Sequence, residues 1–107
     1  MKKNDLINKF NKDKVKFIEI NINLEKIISK NDIFNIFSEN LGFPNYFGKN
    51  WDGFWDILYN RDFINNENEI LINLINIENL TISDKDIFKE IINDLNSVNG
   101  FYIFLYS

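Results

Sequence analysis

The chain has 107 residues, 45% apolar and 16% aromatic, which suits one packed domain and argues against disorder. It has no cysteine, which excludes disulfides, thiolate nucleophiles and cysteine-bound zinc, and no histidine, which removes the commonest general base and transition-metal ligand. Net charge is −4, but the first 16 residues hold six lysines against two aspartates, so a basic N-terminal stretch precedes a body of net charge −8 that repels nucleic acid and attracts basic proteins.

Residues 1–13 are polar and lysine-rich, with Leu6, Ile7 and Phe10 at helical spacing. They read as a short amphipathic turn or a flexible basic arm carrying no function. No apolar stretch follows the opening lysines, and no run approaches the roughly 20 residues of a membrane span, so a cytoplasmic location is expected. Val15–Ile22 is rich in β-branched and aromatic residues and predicts a strand. Over residues 31–41, Ile33, Phe34, Ile36, Phe37 and Leu41 share one helical stripe, with Asn31 as a cap and Gly42 as a stop. A loop with the single proline runs from Phe43 to Asn50, and Asn50 can cap a helix from Trp51 to Asn60.

Glu69–Ile75 predicts a second strand, and its near-continuous apolar centre suits a parallel sheet covered on both faces. Ser83-Asp84-Lys85-Asp86 resembles a capping box opening a helix with Ile87, Phe88, Ile91, Ile92 and Leu95 buried, stopped by Asn99-Gly100. Phe101–Tyr106 predicts a closing strand. The expected fold is α/β, a small three-stranded parallel sheet packed with helices in the order β-α-α-β-α-β, forming one domain over residues 1–107. The many scattered asparagines read as compositional bias without function.

Residues 43–60 differ from the rest of the chain. On a helical wheel Phe54, Ile57 and Leu58 group with Trp51 on a core face, while Asp52 and Asp56 lie opposite with Gly53 and Asn60, and Trp55 sits on the boundary. Like charges one turn apart cost a few tenths of a kcal/mol, and a mid-helix glycine costs about 1 kcal/mol against alanine. Local violations of this kind gather at functional surfaces. Gly53 on that face would let a partner approach closely.

Gly42-Phe43-Pro44-Asn45-Tyr46-Phe47-Gly48-Lys49-Asn50-Trp51-Asp52-Gly53-Phe54-Trp55-Asp56-Ile57-Leu58 resembles the barstar family's hallmark, G-F/L-P-x-Y-Y/F-G-x-N-W/L-D-A-x-W-D, and the resemblance extends over about residues 15–107. It implies a stoichiometric inhibitor of small ribonucleases, made in the cytoplasm to protect the producing cell, with the loop and second helix plugging the nuclease active site. Carried over by position, Asp56 would be the principal anchor, where a substrate phosphate binds. Asp52 would meet an arginine or lysine. Tyr46 would pack near the catalytic histidine, Gly48 and Asn50 would give close contact and hydrogen bonds, and Trp55 would support the surface. Asp94 is the nearest match to the family's acidic contact on the last helix. Two departures bear on specificity. Phe47, expected with Tyr46 among the partner-contact residues, replaces the commoner second tyrosine, and Arg61 stands where the best-known member has an aromatic, adding a positive charge expected to face a basic partner.

The expected partner is therefore a basic ribonuclease or a related toxin, bound by a monomer, with no nucleic acid, membrane, metal or cofactor involved and no enzymatic activity. A barstar-fold immunity protein against a different secreted toxin follows the same surface logic. A carboxylate enzyme or metal site on Asp52 and Asp56 is disfavoured by their expected exposure on a convex helix. Direct nucleic-acid binding is disfavoured by the acidic body.

Overall fold

The segment Phe17–Asn23 forms a strand, β1, that pairs in parallel with Glu69–Ile75, β2, which in turn pairs in parallel with Phe101–Leu105, β3. The computed structural model describes residues 2–61, 63 and 68–107. Register runs from Phe17 opposite Glu69 to Asn23 opposite Ile75, and from Ile70 opposite Phe101 to Leu74 opposite Leu105. Because strand side chains alternate, Ile20, Ile22, Ile70, Ile72, Leu74, Phe101 and Ile103 share one face. Phe17, Leu71, Tyr102 and Phe104 share the other.

The first face meets three helices: α2 over Lys30–Leu41, α3 over Trp51–Asn60 and α4 over Lys85–Leu95. Ile33, Phe34 and Phe37 of α2, Phe54 and Leu58 of α3, and Phe88, Ile92 and Leu95 of α4 fill one core with the strands. Covering on both faces accounts for β2, in which Ile70 to Leu74 are all buried. Gly42 closes α2 in the left-handed region at φ 74°, where glycine carries no Cβ penalty.

The second face is covered by a helix absent from the expected order. Residues Lys3–Asp13 form α1, which lays Leu6 and Phe10 against Leu71, Phe17, Tyr102 and Phe104. The element order is thus α-β-α-α-β-α-β, and the segment read as a turn or arm is a three-turn helix fixed by tertiary burial.

Lys3 Nζ reaches Glu19 Oε2 at 2.6 Å, and Asn73, only 2% exposed, donates to the same oxygen at 2.6 Å and to Asn21 Oδ1 at 2.7 Å. The Lys3 hydrogen bond, then that of Asn73, hold the Glu19 carboxyl below its ordinary range, and Glu19 raises Lys3 in turn. A depressed carboxyl contributes stability above its unfolded pKa and loses it as pH falls through the folded one. A raised lysine contributes below its unfolded pKa and loses it on the alkaline side. Glu19→Gln should therefore remove part of the acid-limb loss of stability at pH values below 4.5, by less than about 1 kcal/mol because the pair is partly exposed. Urea unfolding at a series of pH values, wild type against variant, checks this; an unaltered acid limb would show that the pair does not secure α1.

Four other expectations change. The strand β1 starts at Phe17, not Val15. Helix α4 ends at Leu95, not Asn99, because Asn96 turns its side-chain oxygen to the Ile103 N–H at 2.9 Å. The Ser83–Asp86 capping box is not formed: Asp84 is the cap residue and makes no side-chain cap bond. Ile87, expected on the buried stripe, is 44% exposed. Of helices among the described residues, none is long and apolar enough to cross a membrane.

Candidate functional site

Helix α3 is fixed at its start by the residue the sequence pointed to. Asn50 Oδ1 accepts from the Gly53 N–H at 2.7 Å, which satisfies an otherwise orphaned donor of the first turn, and the Asn50 carbonyl takes the Phe54 N–H at 2.9 Å as the first bond of the helix. Asn50 Nδ2 also reaches the Gly48 carbonyl at 3.4 Å. The side chain is thus engaged in shaping the loop-to-helix junction. Gly53 is half-buried, and a Cβ there would lie 3.2 Å from the capping oxygen of Asn50 and 3.6 Å from Phe47. Part of the reason for glycine is therefore internal, beyond the partner approach expected from the wheel.

Phe54 is fully buried, with ring centroids 5.0 Å from Phe37, 5.6 Å from Phe34 and 5.7 Å from Trp51. It seats one side of α3 on the core. The opposite side carries Asp52 and Asp56, one helical turn apart and both exposed. Among the described residues the ion pair that occurs joins Lys3 to Glu19, on the far face of the sheet, and neither aspartate takes part in one. Trp55 is half-buried and stacks on Tyr59 at 5.3 Å with an interplanar angle of 21°.

The preceding loop presents Tyr46 at 70% exposure, with Gly48 exposed close by. Phe47, in contrast, turns edge-on to Phe34 at 5.6 Å and to Phe43 at 5.1 Å and is half-buried. A ring without a hydroxyl has no polar tip to keep wet, so phenylalanine in place of the commoner tyrosine suits this packed position.

Between α3 and α4 lies a trough of about 250 Å³. Trp51, Trp55, Ile87 and Ile91 supply its apolar lining, and Asp52, Glu90 and Asp94 its charge. The sequence-derived candidates Asp52, Trp55 and Asp94 are thereby brought together. Glu90, Ile87 and Tyr59 were not identified from sequence. A signal existed: Glu90 and Asp94 repeat the four-residue spacing of Asp52 and Asp56, and Trp55 and Tyr59 repeat it with aromatics. A larger depression of about 350 Å³ between α4 and β3 is lined by Phe88, Lys89, Ile92 and Leu105 among others and contains no carboxylate.

Arg61 corrects another expectation. Its guanidinium does not face outward beside the acidic helix. Nη2 donates to the Asn68 carbonyl at 2.6 Å and Nη1 to the Asn99 carbonyl at 3.1 Å, with the cation 5.7 Å from the Phe101 ring centre. The external surface of α3 is left to its acids.

Chemically, this arrangement offers fixed negative charge beside aromatic and aliphatic surface. Carboxylates on a capped helix accept charge-assisted hydrogen bonds from guanidinium or ammonium donors, and the trough accommodates the apolar stem that such donors carry. Among the described residues no three acidic side chains converge closely enough to hold a metal ion. A family model described as Barstar (barnase inhibitor) matches residues 17–102, from the first residue of β1 into β3. No curated protein sequence matches the chain.

Proposed function

The chain belongs to the barstar family, and we propose that it is a stoichiometric inhibitor that occludes the active site of a basic ribonuclease in the cytoplasm of the producing cell. Members of this family are inhibitors and bind a ribonuclease protein. The observation that carries the reading here is the exposure of Asp52 and Asp56 on the outer side of a helix whose inner side is pinned by Phe54. A ribonuclease active site must be cationic to hold phosphates, so carboxylates held at fixed positions satisfy it without offering a bond to cleave. Asp56 would sit deepest, in place of a phosphate. Asp52, Glu90 and Asp94 would receive a second cationic side chain whose stem lies along Trp55 and Ile87. Tyr46 and Gly48 would form the loop half of the contact, and Asn50 would keep that loop in register with the helix. Burying such carboxylates is costly alone and favourable when the enzyme meets each with a cation and hydrogen bonds.

The test is titration against barnase, the enzyme in the family's description, with RNA cleavage as readout. Inhibition should reach completion at one inhibitor per enzyme. The net charge of −8 beyond residue 16 should also steer encounter. Raising salt from about 20 mM to about 500 mM should therefore lower the association rate at least about tenfold and change the dissociation rate far less. A salt-independent association rate would remove electrostatic steering from the account.

A second reading, an immunity protein for a different secreted toxin, is favoured by one observation: Tyr59 stacked on Trp55 enlarges the aromatic surface next to the acids. Failure to inhibit barnase at tenfold molar excess, together with capture of a toxin encoded by the neighbouring gene, would select it.

A further inference from the structure

We propose that Arg61 is a positioning residue, the closing half of a two-ended latch that holds α3 at the angle to α4 on which the acidic trough depends. The proposal rests on the inhibitory reading of α3. Phe54 anchors the helix near its middle, but a ten-residue helix, about 15 Å long, can tilt about a central anchor unless its ends are tied.

Both ends are tied, and both ties go to the turns that bracket α4. At the start, the Trp51 indole Nε1 donates to Asp84 Oδ2 at 3.0 Å, and Asp84 is the residue from which α4 begins. At the finish, Arg61 and Asn99 are linked reciprocally. The Arg61 side chain donates to the Asn99 carbonyl at 3.1 Å, and the Asn99 side chain donates to the Tyr59 carbonyl at 2.6 Å, one of the carbonyls that a helix terminus leaves open. The second arm of the guanidinium binds the Asn68 carbonyl at 2.6 Å, just ahead of β2. One side chain therefore joins the end of α3, the approach to β2 and the turn after α4.

The local backbone is arranged for this contact. Arg61 and Asn99 both occupy the left-handed region, at φ 56° and φ 50°, which is uncommon outside glycine. Gly100 follows at φ 79°, and a Cβ there would stand 2.6 Å from Glu69 Oε2 and 3.1 Å from Arg61 Nη1. A planar fork with several donors can serve two carbonyls on separate segments at once, which a lysine ammonium on its flexible stem does not reproduce.

The experiment compares wild type, Arg61→Lys, Asn99→Gly and the double variant. Glycine at 99 keeps the left-handed backbone and the carbonyl that Arg61 uses, and deletes only the side-chain bond. Two measurements are made: backbone hydrogen exchange under native conditions, and association and dissociation rates on barnase. Each single variant should accelerate exchange of the last-turn amides of α3 about tenfold relative to those of β2. Each should also raise the barnase dissociation rate about tenfold with the association rate within about twofold, because a loosened binding element acts mainly on residence time. The double variant should add little to either single one, since both cut the same link.

Proportional acceleration in every element would reduce Arg61 to general stability and overturn the proposal. A faster dissociation rate with unchanged α3 exchange would also overturn it, since Arg61 would then be touching the partner directly. If wild type fails to bind barnase, the inhibitory reading fails for that enzyme, while the exchange pattern still decides whether the latch exists.

Discussion

Asp56→Ala is expected to weaken binding to the target ribonuclease by about 2–5 kcal/mol, roughly 30-fold to several-thousand-fold, while leaving the free protein as stable as before or slightly more so. The barnase–barstar pair itself contributes to the range from which that figure is taken. Two independent features of α3 lead to the combination. Asp56 is exposed on the outer side of the helix and takes no part in an ion pair among the described residues, so its removal breaks no such contact there. Alanine is the better helix former by a few tenths of a kcal/mol, and its presence also relieves the repulsion between Asp52 and Asp56 at one-turn spacing. The melting temperature should therefore stay level or rise by about 1–3 °C. In the complex the same carboxylate is surrounded by the enzyme's cations, and truncation leaves those cations buried without a partner. Calorimetric titration and a thermal melt on one preparation check both halves. An unchanged affinity would end the proposal that this face is the inhibitory one, and a fall in melting temperature of several degrees would show that Asp56 has a structural role the geometry does not reveal.

The parts of this molecule that sequence made legible are those fixed by local chemistry. Helix α3 was bounded correctly at both ends because a proline- and glycine-containing loop precedes it and Asn50 is a strong cap. Strand β2 was bounded correctly because a continuous apolar run has one comfortable place, the centre of a sheet covered on both faces. What was not legible depended on partners distant in the chain. Helix α1 has a polar composition, and Leu6 and Phe10 become decisive only once Leu71 and Tyr102 are beneath them. Ile87 lies one residue from Phe88 and so points well around the helix from it, toward α3, where the trough needs apolar lining.

The asparagines show the same limit. Read as compositional bias, some have structural work: Asn73 bridges β1 to β2 from within the core and Asn96 ends α4, while Asn99, read only as a helix stop, secures the end of α3. Nothing in the residue type distinguishes these from their exposed neighbours. The Asp52–Asp56 pair was legible for the opposite reason, since an acidic pair beside a mid-helix glycine breaks local preference on an otherwise well-formed helix.

Phe54→Ala should give the reverse pattern, a large loss of stability with the binding chemistry left intact. The side chain is fully buried and is packed by rings from α2, from the loop and from α4, with Phe37 at 5.0 Å, Phe43 at 6.1 Å and Phe88 at 6.3 Å. Rings interlocked edge-on, as Phe37 is, or tilted, as Phe43 and Phe88 are, cannot collapse freely into the vacated space, so the substitution forfeits both the transfer energy of the ring and the contacts around it, about 3–5 kcal/mol. In a domain whose total stability is of the order of 5–15 kcal/mol, this should lower the melting temperature by about 15–25 °C. The acids of α3 remain in place in whatever fraction stays folded. Saturating ribonuclease should therefore restore much of the lost melting temperature, because a ligand that binds only the native state stabilises it by mass action. The same excess of ribonuclease should do far less for Asp56→Ala, which starts stable and binds poorly. A loss below about 1 kcal/mol in Phe54→Ala would mean that α3 is not seated on the core through this residue. A melting temperature that ribonuclease could not raise would mean that the inner and outer sides of the helix are not separable, and that the acids need Phe54 for more than a place to stand.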